Sequence, residues 1–385
     1  MRIFLSCQQA LKRHPVPAYD YWEYYFRNGL REAGHEIAEA PAVDWAEGLT
    51  PLSKTERAAW LGRTWTRTVD YVKAEHPRRR IDLFLSYLFP YQVDPSAVTA
   101  IRALGIPCVN FFCDNMREFS RIPQAFGCFN LHWVPEADAR VLYARSRMPF
   151  IYAPMPMWVR PEFRDGPDAE PNGVVFVGSH DALREDLLGE AVGLGLQLGV
   201  YGSGWLGGGE GDKARIHPIH VTLANQVEFL RREGMLGWVM RATYQFRRRR
   251  PDEWIGRHAH PALDGDAYFR AMREFQVVIG INRCPSFRRP FSNPFRYSRL
   301  RDIEAPMLGA CYLTEMAPGL GDLYEIGAEI ETYRDAAELA EQSARLQADA
   351  PKRRRLRQLG QRRALADHTI GRSLARIIKE LGISA

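Results

Sequence analysis

A chain of 385 residues with 46% hydrophobic and 25% charged residues has the make-up of a globular protein of two or three domains, not of a disordered one. The six cysteines, Cys7, Cys108, Cys113, Cys128, Cys284 and Cys311, form no CxxC pair, which argues against a disulfide scaffold or zinc ribbon and for reduced, cytosolic thiols. No stretch approaches the ~18 apolar residues of a membrane span, Lys12-Arg13-His14 follow the first apolar run too closely for a signal peptide, and the net charge of +6 leaves nucleotides, membrane surfaces and nucleic acid open as partners.

In the first half, strands and helices alternate. Ile3 to Ser6 reads as a strand, Gln8 to Pro17 as a polar loop, and Tyr19 to Ala33 as a helix ending near Gly34. GHEIAEA resumes as a strand, and Trp60 to Glu75 reads as a helix. IDLFLSY (residues 81–87) is a strand, Ser96 to Leu104 a helix, IPCVNFF a strand, Asn130 to Val134 a strand and Glu136 to Arg145 a helix. Strands separated by helices of this length favour βαβ units and a parallel sheet. The proline-dense stretch 153–173 breaks the pattern and reads as a linker.

The alternation then restarts. VVFVGS is a strand, Ala182 to Leu194 a helix, LGVYGSG a strand, Asp266 to Glu274 a helix, VVIGIN a strand, Leu300 to Leu308 a helix and ACYLTE a strand. The expected domains are residues 1–155, residues 156–365 with an insertion at about 206–262, and a C-terminal helix in 366–385 that packs back on the first domain. Residues 206–262 carry ten Lys/Arg against six Asp/Glu, and residues 351–385 carry ten against two. The positive charge is therefore local.

Three motifs point to chemistry. Val174 to Ser179 runs an apolar strand into Gly178-Ser179, where backbone can approach a phosphate and the next helix aims its N–H groups at an anion. Arg184, five residues on, could grip a diphosphate, though a plain strand–turn–helix with a surface arginine explains the same residues. Tyr201-Gly202-Ser203-Gly204-Trp205 is a second glycine-rich turn, with Trp205 either stacking on a base or filling a core. In Arg299 to Ala310 a carboxylate, Glu304, sits inside a short helix ending at Gly309, placed to accept from a vicinal diol such as a ribose or to pair with Arg301 as a surface bridge. Pro306 is awkward in that helix.

RLRDIEAPMLGACYLTE, followed by APGLGDLYEIGAEIETYRDAAELAE, resembles the donor-domain signature of GT-B glycosyltransferases, and within them the CgeB-like (spore-maturation-type) group. In that group a strand–VGS element, an arginine in the following helix, a YGSGW turn, an INR strand and an R-x-x-E-A-x-x-x-G helix come in this order. Here they are VVFVGS, Arg184, VYGSGW, FQVVIGINR and Arg301 to Gly309. REAGHEI near the end of the first helix and His368-Thr369 with Arg372 in the tail are also similar to such enzymes. The resemblance implies an α/β fold of two Rossmann-like domains facing across a cleft. It implies a cytoplasmic glycosyltransferase of the hexosyltransferase class that moves a sugar from a nucleoside diphosphate to an acceptor hydroxyl. The donor would lie on Gly178, Ser179, Arg184, Gly202, Ser203, Asn293, Arg301 and Glu304. No cofactor and no metal would be needed, because helix dipoles and arginines take the place of the ion. Asp264-Gly265-Asp266 spells DxD but stands at a helix start, where Asp264 is expected as an N-cap. Related retaining enzymes carry two glutamates separated by seven residues; eight positions before Glu304 stands Arg296, and Ser292, Asn293 and Arg296 itself are the substitutes that can reach polar groups.

The first domain would hold the acceptor, whether glycan, lipid-linked or small molecule, together with a general base. Asp114 after the FFC strand is the leading candidate, with Asp20 and His132 behind it. Each has a plainer reading: Asp114 as a turn cap, His132 as a core histidine. Tyr19, Tyr21, Trp22, Tyr24 and Tyr25 would stack on sugars or fill a core. Residues 235–250, ending in Phe246 and Arg247 to Arg250, fit either contact with an anionic membrane at its inner face or a solvated helix. No nucleic-acid module is present. The competing classes are a non-catalytic nucleotide-sugar-binding or scaffold protein and a nucleotide-sugar epimerase or hydrolase.

Overall fold

The computed structural model describes residues 1–14, 18–166, 169–206, 230, 235–240, 253–285 and 294–383. They form two compact units, Met1–Trp158 with His368–Ala385, and Val159–Asp367.

The first unit runs β1 (Arg2–Ser6), α1 (Ala18–Glu32), β2 (Glu36–Ala38), α2 (Lys54–Glu75), β3 (Leu83–Tyr87), α3 (Pro95–Arg102), β4 (Cys108–Phe111), α4 (Asn115–Glu118), β5 (Leu131–Val134), α5 (Ala139–Arg145) and β6 (Phe150–Tyr152). The strands make one six-stranded sheet in the order β2-β1-β3-β4-β5-β6. All its pairings are parallel. Every residue of β1, β3, β4 and β5 is buried, as expected of a parallel sheet covered on both faces. Helix α2 starts at Lys54, earlier than the expected Trp60, because Ser53 and Glu56 form a capping box. Its inner face is Trp60, Thr64, Trp65, Thr68 and Val72, at the spacing of a helical stripe. In α1, Trp22 and Tyr25 are core residues while Tyr21 is 58% exposed, so the aromatic cluster divides between the two readings. The helix Ile370–Glu380, capped by Thr369, belongs to this unit. A Cβ at Gly29 of α1 would lie 2.5 Å from Cδ1 of Ile370, and Arg376 donates to the Tyr152 carbonyl at 2.7 Å.

The registers place Ser6, Ser86, Asn110 and His132 side by side across β1, β3, β4 and β5. This layer is buried and polar. Ser86 Oγ donates to Asn110 Oδ1 at 2.9 Å. Nε2 of His132 lies 3.0 Å from the Phe126 carbonyl, and its ring is packed by Phe126, Phe129 and Tyr143.

The second unit runs β7 (Asn172–Val177), α6 (Ala182–Gly193), β8 (Leu198–Tyr201), β9 (Ala259–His260), the helix Gly265–Glu274, β10 (Phe275–Gly280), a small hairpin of β11 (Arg283–Cys284) and β12 (Phe295–Arg296), the helix Arg301–Met307, β13 (Tyr312–Glu315) and β14 (Glu331–Tyr333). The helices Ala336–Ala348 and Ala350–Asp367 complete it. Its main sheet is again six-stranded, in the order β14-β13-β10-β7-β8-β9. Val174, Phe176, Leu188, Val200, Val277, Ile279 and Leu313 lie in its core. Pro306 lies inside the short helix Arg301–Met307, and Gly309 at φ 73° turns the chain toward β13. Glu170 bridges the buried Arg353 and Arg357, each at 2.6 Å.

In both sheets the winding reverses beside the first strand of the unit, between β1 and β3 and between β7 and β10. Open α/β sheets bind ligands beyond the carboxyl ends of the strands at such points.

His132 makes a testable contribution to acid stability. Burial pushes its pKa down to about 4, and Nδ1, the atom that would take the second proton, is buried without a partner among the described residues. Between pH 6.5 and 4 the unfolded chain therefore binds more protons than the folded one, and stability falls as pH falls through that window. The full loss is about 3 kcal/mol, at ~1.4 kcal/mol per pH unit. Urea midpoints at pH 7.5 and 4.5 should differ by less in His132→Phe than in the wild type.

Candidate functional site

Beyond β7 and β8 the backbones stay paired. Gly178 N–H donates to the Tyr201 carbonyl and His180 N–H to the Ser203 carbonyl, both at 2.8 Å. The approach is so close that a Cβ at Gly202 would fall 2.0 Å from the Gly178 oxygen. Only glycine fits there. The Trp205 indole donates to the same Gly178 oxygen at 2.8 Å and is 1% exposed. Trp205 therefore fills the core and is not open to stack on a base. Asp181 caps α6 by accepting from Leu183 N–H at 3.0 Å, which places Arg184 in the first turn. The Arg184 guanidinium donates to the Ser179 carbonyl at 2.8 Å and reaches Ser179 Oγ at 3.4 Å. Gly178, Ser179, Arg184, Gly202 and Ser203 are thus brought together at one edge. Sequence reasoning missed the buried pair beside them, His180 Nε2 and Glu185 at 2.6 Å.

The helices Gly265–Glu274 and Arg301–Met307 precede β10 and β13, so in a parallel sheet their first turns lie at this same carboxyl edge. Glu304 is 2% exposed and accepts a hydrogen bond from the Tyr268 hydroxyl. Arg301 donates to that hydroxyl, covers the Tyr268 ring at 4.7 Å and pairs with Glu304 at 3.3 Å. The Arg301–Glu304 pair exists, with its carboxylate buried and its guanidinium half-buried. Tyr268 gave no signal in the sequence, because only tertiary packing brings its helix alongside.

Two further carboxylates brace the edge. Asp302 is fully buried, accepts from Tyr312 and Thr314 hydroxyls at 2.8 and 2.9 Å, and has its pKa raised by that burial. Glu315, at the end of β13, accepts from the backbone N–H groups of Asn282 and Arg283 at 3.2 and 3.0 Å. It also takes the guanidinium groups of Arg283 at 2.7 Å and Arg296 at 2.5 Å. Arg296, at the position where two-glutamate enzymes carry their first carboxylate, is thus held by a buried glutamate. Asn293 and Ser292 lie outside the described residues. Asp264 stands at the N-cap of its helix, but its side chain makes no capping bond, contrary to expectation, and Asp266 pairs with Arg160. Among the described residues no group of three or more His, Cys, Asp and Glu is placed to hold a metal ion.

In the first unit, Asp114 is half-buried at the N-cap position of α4, directly beyond β4. The capping bonds come from Glu136 instead, whose carboxylate accepts from Asn115 N–H at 2.8 Å and Met116 N–H at 3.3 Å. Glu136 is 1% exposed, and burial first, then the nearby Asp114, holds its pKa well above the usual carboxylate range. Asp20 is exposed in the first turn of α1, where a negative charge suits the helix dipole. His132 lies in the interior, as its plainer reading has it. The structure does not bring Asp114, Asp20 and His132 together as one hydrogen-bonded group. It shows instead a buried pair the sequence did not suggest: Nε2 of His14 lies 3.0 and 2.9 Å from the two Asp44 oxygens. The pairing spans 30 residues and carries no local motif.

Of the basic stretch 235–250, Phe246 and Arg247 to Arg250 lie outside the described residues. In the helical segment 235–240, Met235 and Leu236 are 65% and 57% exposed. Among the described residues no helix is long and apolar enough to cross a membrane.

Two parallel six-stranded sheets, each with its loops at the carboxyl edge, define a protein of the GT-B architecture. Residues 184–379, just over half of the chain, match the family model described as glycosyl transferase-like, and the chain belongs to that family. Its function is glycosyl transfer. No curated protein matches its sequence. Among solved structures it is similar to sucrose-phosphate synthase from Thermosynechococcus elongatus, at 13% identity and TM-score 0.60 with 99% of each chain covered. It is similar to a glycosyltransferase from Rickettsia africae ESF-5, at 9% identity and TM-score 0.58 over 98% of this chain and 97% of the other. It is also similar to HepE of Anabaena in complex with UDP and glucose, at 13% identity and TM-score 0.57 with 99% of each chain covered. At these identities the likeness is one of fold.

Replacing Gly202 by alanine forces its Cβ into the Gly178 carbonyl. Gly202→Ala should cost about 1–3 kcal/mol, the range of an overpacked interior, read as a lower urea midpoint, whereas Gly62→Ala, in α2 with nothing within 4 Å of its Cβ, meets no such obstacle.

Proposed function

We propose that this protein transfers a hexose from a nucleoside diphosphate donor, bound by the second unit, to a hydroxyl of an acceptor bound by the first. The observation that carries the reading is the buried Glu304, set by Tyr268 and Arg301 at the edge where the glycine turns after β7 and β8 meet. A carboxylate there can accept both hydroxyls of a ribose. The first turn of α6, with Arg184, presents N–H groups and positive charge to a diphosphate. In the reaction the acceptor oxygen bonds to the anomeric carbon, the bond to the diphosphate oxygen breaks, and the hydroxyl proton passes to a base. Positive groups aimed at the leaving diphosphate stabilise the charge that develops on it. Arginines and helix ends fill that role in this reading, without a divalent ion. The solved neighbour in complex with UDP and glucose supports a uridine diphosphate hexose as the first donor to test. The order of VVFVGS, VYGSGW, INR and Arg301 to Gly309 supports a place in the CgeB-like group. For the base we assign Asp114, which stands beyond the end of β4 with its helix start held by Glu136.

Donor hydrolysis and transfer should be assayed with a panel of nucleotide sugars. Glu304→Ala is expected to weaken donor binding roughly ten- to a hundredfold, since hydrogen bonds to a charged group contribute about 1.5–3 kcal/mol. Wild-type levels of donor binding in that variant would sink the reading. Asp114→Asn should lower kcat by about a hundredfold or more while leaving donor binding intact. Activity that survives excess EDTA is expected; its loss, with recovery on adding a divalent ion, would overturn the metal-free assignment.

A further inference from the structure

The loops after β1 and β2 lie at the carboxyl edge of the first sheet, beside its reversal point. Among the described residues, three other than glycine have left-handed backbone: Gln8 at φ 56°, Ala42 at φ 55° and Arg147 at φ 53°. Two of these three fall in those two loops. Such a conformation costs roughly 1–3 kcal/mol and persists where the surroundings enforce it, often at ligand sites. The enforcement is visible. Arg67 of α2 donates to the Ala42 carbonyl at 2.7 Å. Asp44 gathers His14 together with the N–H groups of Leu11 and Glu47, at 3.1 and 2.9 Å. At the base of the first loop, Ser6 Oγ and Gln8 Oε1 are buried with no hydrogen-bond partner among the described residues.

Between these loops and α2 lies a cavity of about 210 Å³. Its charged lining is Lys12, Arg63 and Arg67 against Asp44 and Glu47. Both carboxylates are already engaged, Asp44 by His14 and Glu47 by Arg63 at 3.3 Å. The lining thus carries one positive charge in excess, and Lys12 with the remaining N–H groups of Arg67 are its donors not spent on a carboxylate. The cavity is smaller than the ~300–1,000 Å³ of a site for a whole small molecule, so it suits one end of a ligand.

We propose that this cavity is a subsite for an anionic group, a phosphate or a carboxylate, carried by the acceptor. Lys12 and Arg67 receive the charge, and the Arg63–Glu47 pair forms the rim. The role as an acceptor subsite rests on the function proposed above; the binding of an anion does not.

The test is calorimetric titration of inorganic phosphate into the full-length protein with UDP in excess, so that no phosphate is read at the donor edge. Saturable binding is expected, weakened at least tenfold in Lys12→Ala and in Arg67→Ala. Lys12 is exposed, so its truncation keeps the fold, and a matching melting temperature checks this. No binding in the wild type, or wild-type affinity in both variants, overturns the proposal. Glycerol 3-phosphate and glucuronate, each titrated in the same way, distinguish a phosphate-bearing from a carboxylate-bearing acceptor, and displacement of phosphate by either one supports the site. If UDP and nucleotide sugars fail to bind while phosphate still binds and the variants still lose it, the anion site stands and the acceptor role falls.

Discussion

The second unit turns on one close approach, that of the Gly202 turn to the Gly178 carbonyl. Because no side chain intervenes, the ladder between β7 and β8 continues past the strand ends into both loops. The same carbonyl accepts the Trp205 indole, so the second turn is tied to the hydrophobic core beneath it. With the loop after β7 set in this way, α6 starts at Asp181 and Arg184 folds back over Ser179. This edge is therefore rigid backbone before it is a collection of side chains.

Buried carboxylates do the complementary work where the loops have no ladder. Glu136 takes the first N–H groups of α4, Glu315 those that follow β10, and Asp44 those of the loops after β1 and β2. A carboxylate out of water is costly unless several donors surround it. Each of these has such donors, and each therefore fixes the loop that supplies them. At Glu315 the donors include Arg283 and Arg296, so a pair of guanidinium groups is held at the edge by the carboxylate that organises its backbone. At Glu136 burial keeps the proton affinity high, and the neighbouring Asp114 is the more exposed of the two.

Much of the fold was legible because parallel strands announce themselves as short apolar runs. β1, β3, β4, β7, β10 and β13 were all placed within a few residues. The start of α2 was missed because its first turn is polar and held by a capping box rather than by an apolar stripe. β6, β14 and the hairpin β11–β12 were missed because two- and three-residue strands carry no periodicity. In the candidate site, the placing of Gly178, Ser179, Arg184, Gly202, Arg301 and Glu304 at one sheet edge was readable from local motifs. Tyr268, His180 with Glu185, Glu136 and the pair His14–Asp44 were not, since each depends on an orientation or a partner from a neighbouring element.

The sequence by itself determined the α/β class and the order of the motifs from VVFVGS to Arg301–Gly309. These properties are written in local patterns: apolar runs, helix stops and glycine turns at short spacing. Whether a given polar residue lies at an edge or inside was decided by the tertiary structure. His132 and Trp205 are chemically able to touch a ligand, yet packing sets one among aromatic rings and the other beneath a glycine turn. Glu304 and Arg301, a surface pair by helical spacing alone, became a cluster around a buried carboxylate once the helix carrying Tyr268 packed against them. The physical reason is that burial and partnership are properties of neighbours far away in the chain, and the free energy of a charge depends on them more than on its own identity.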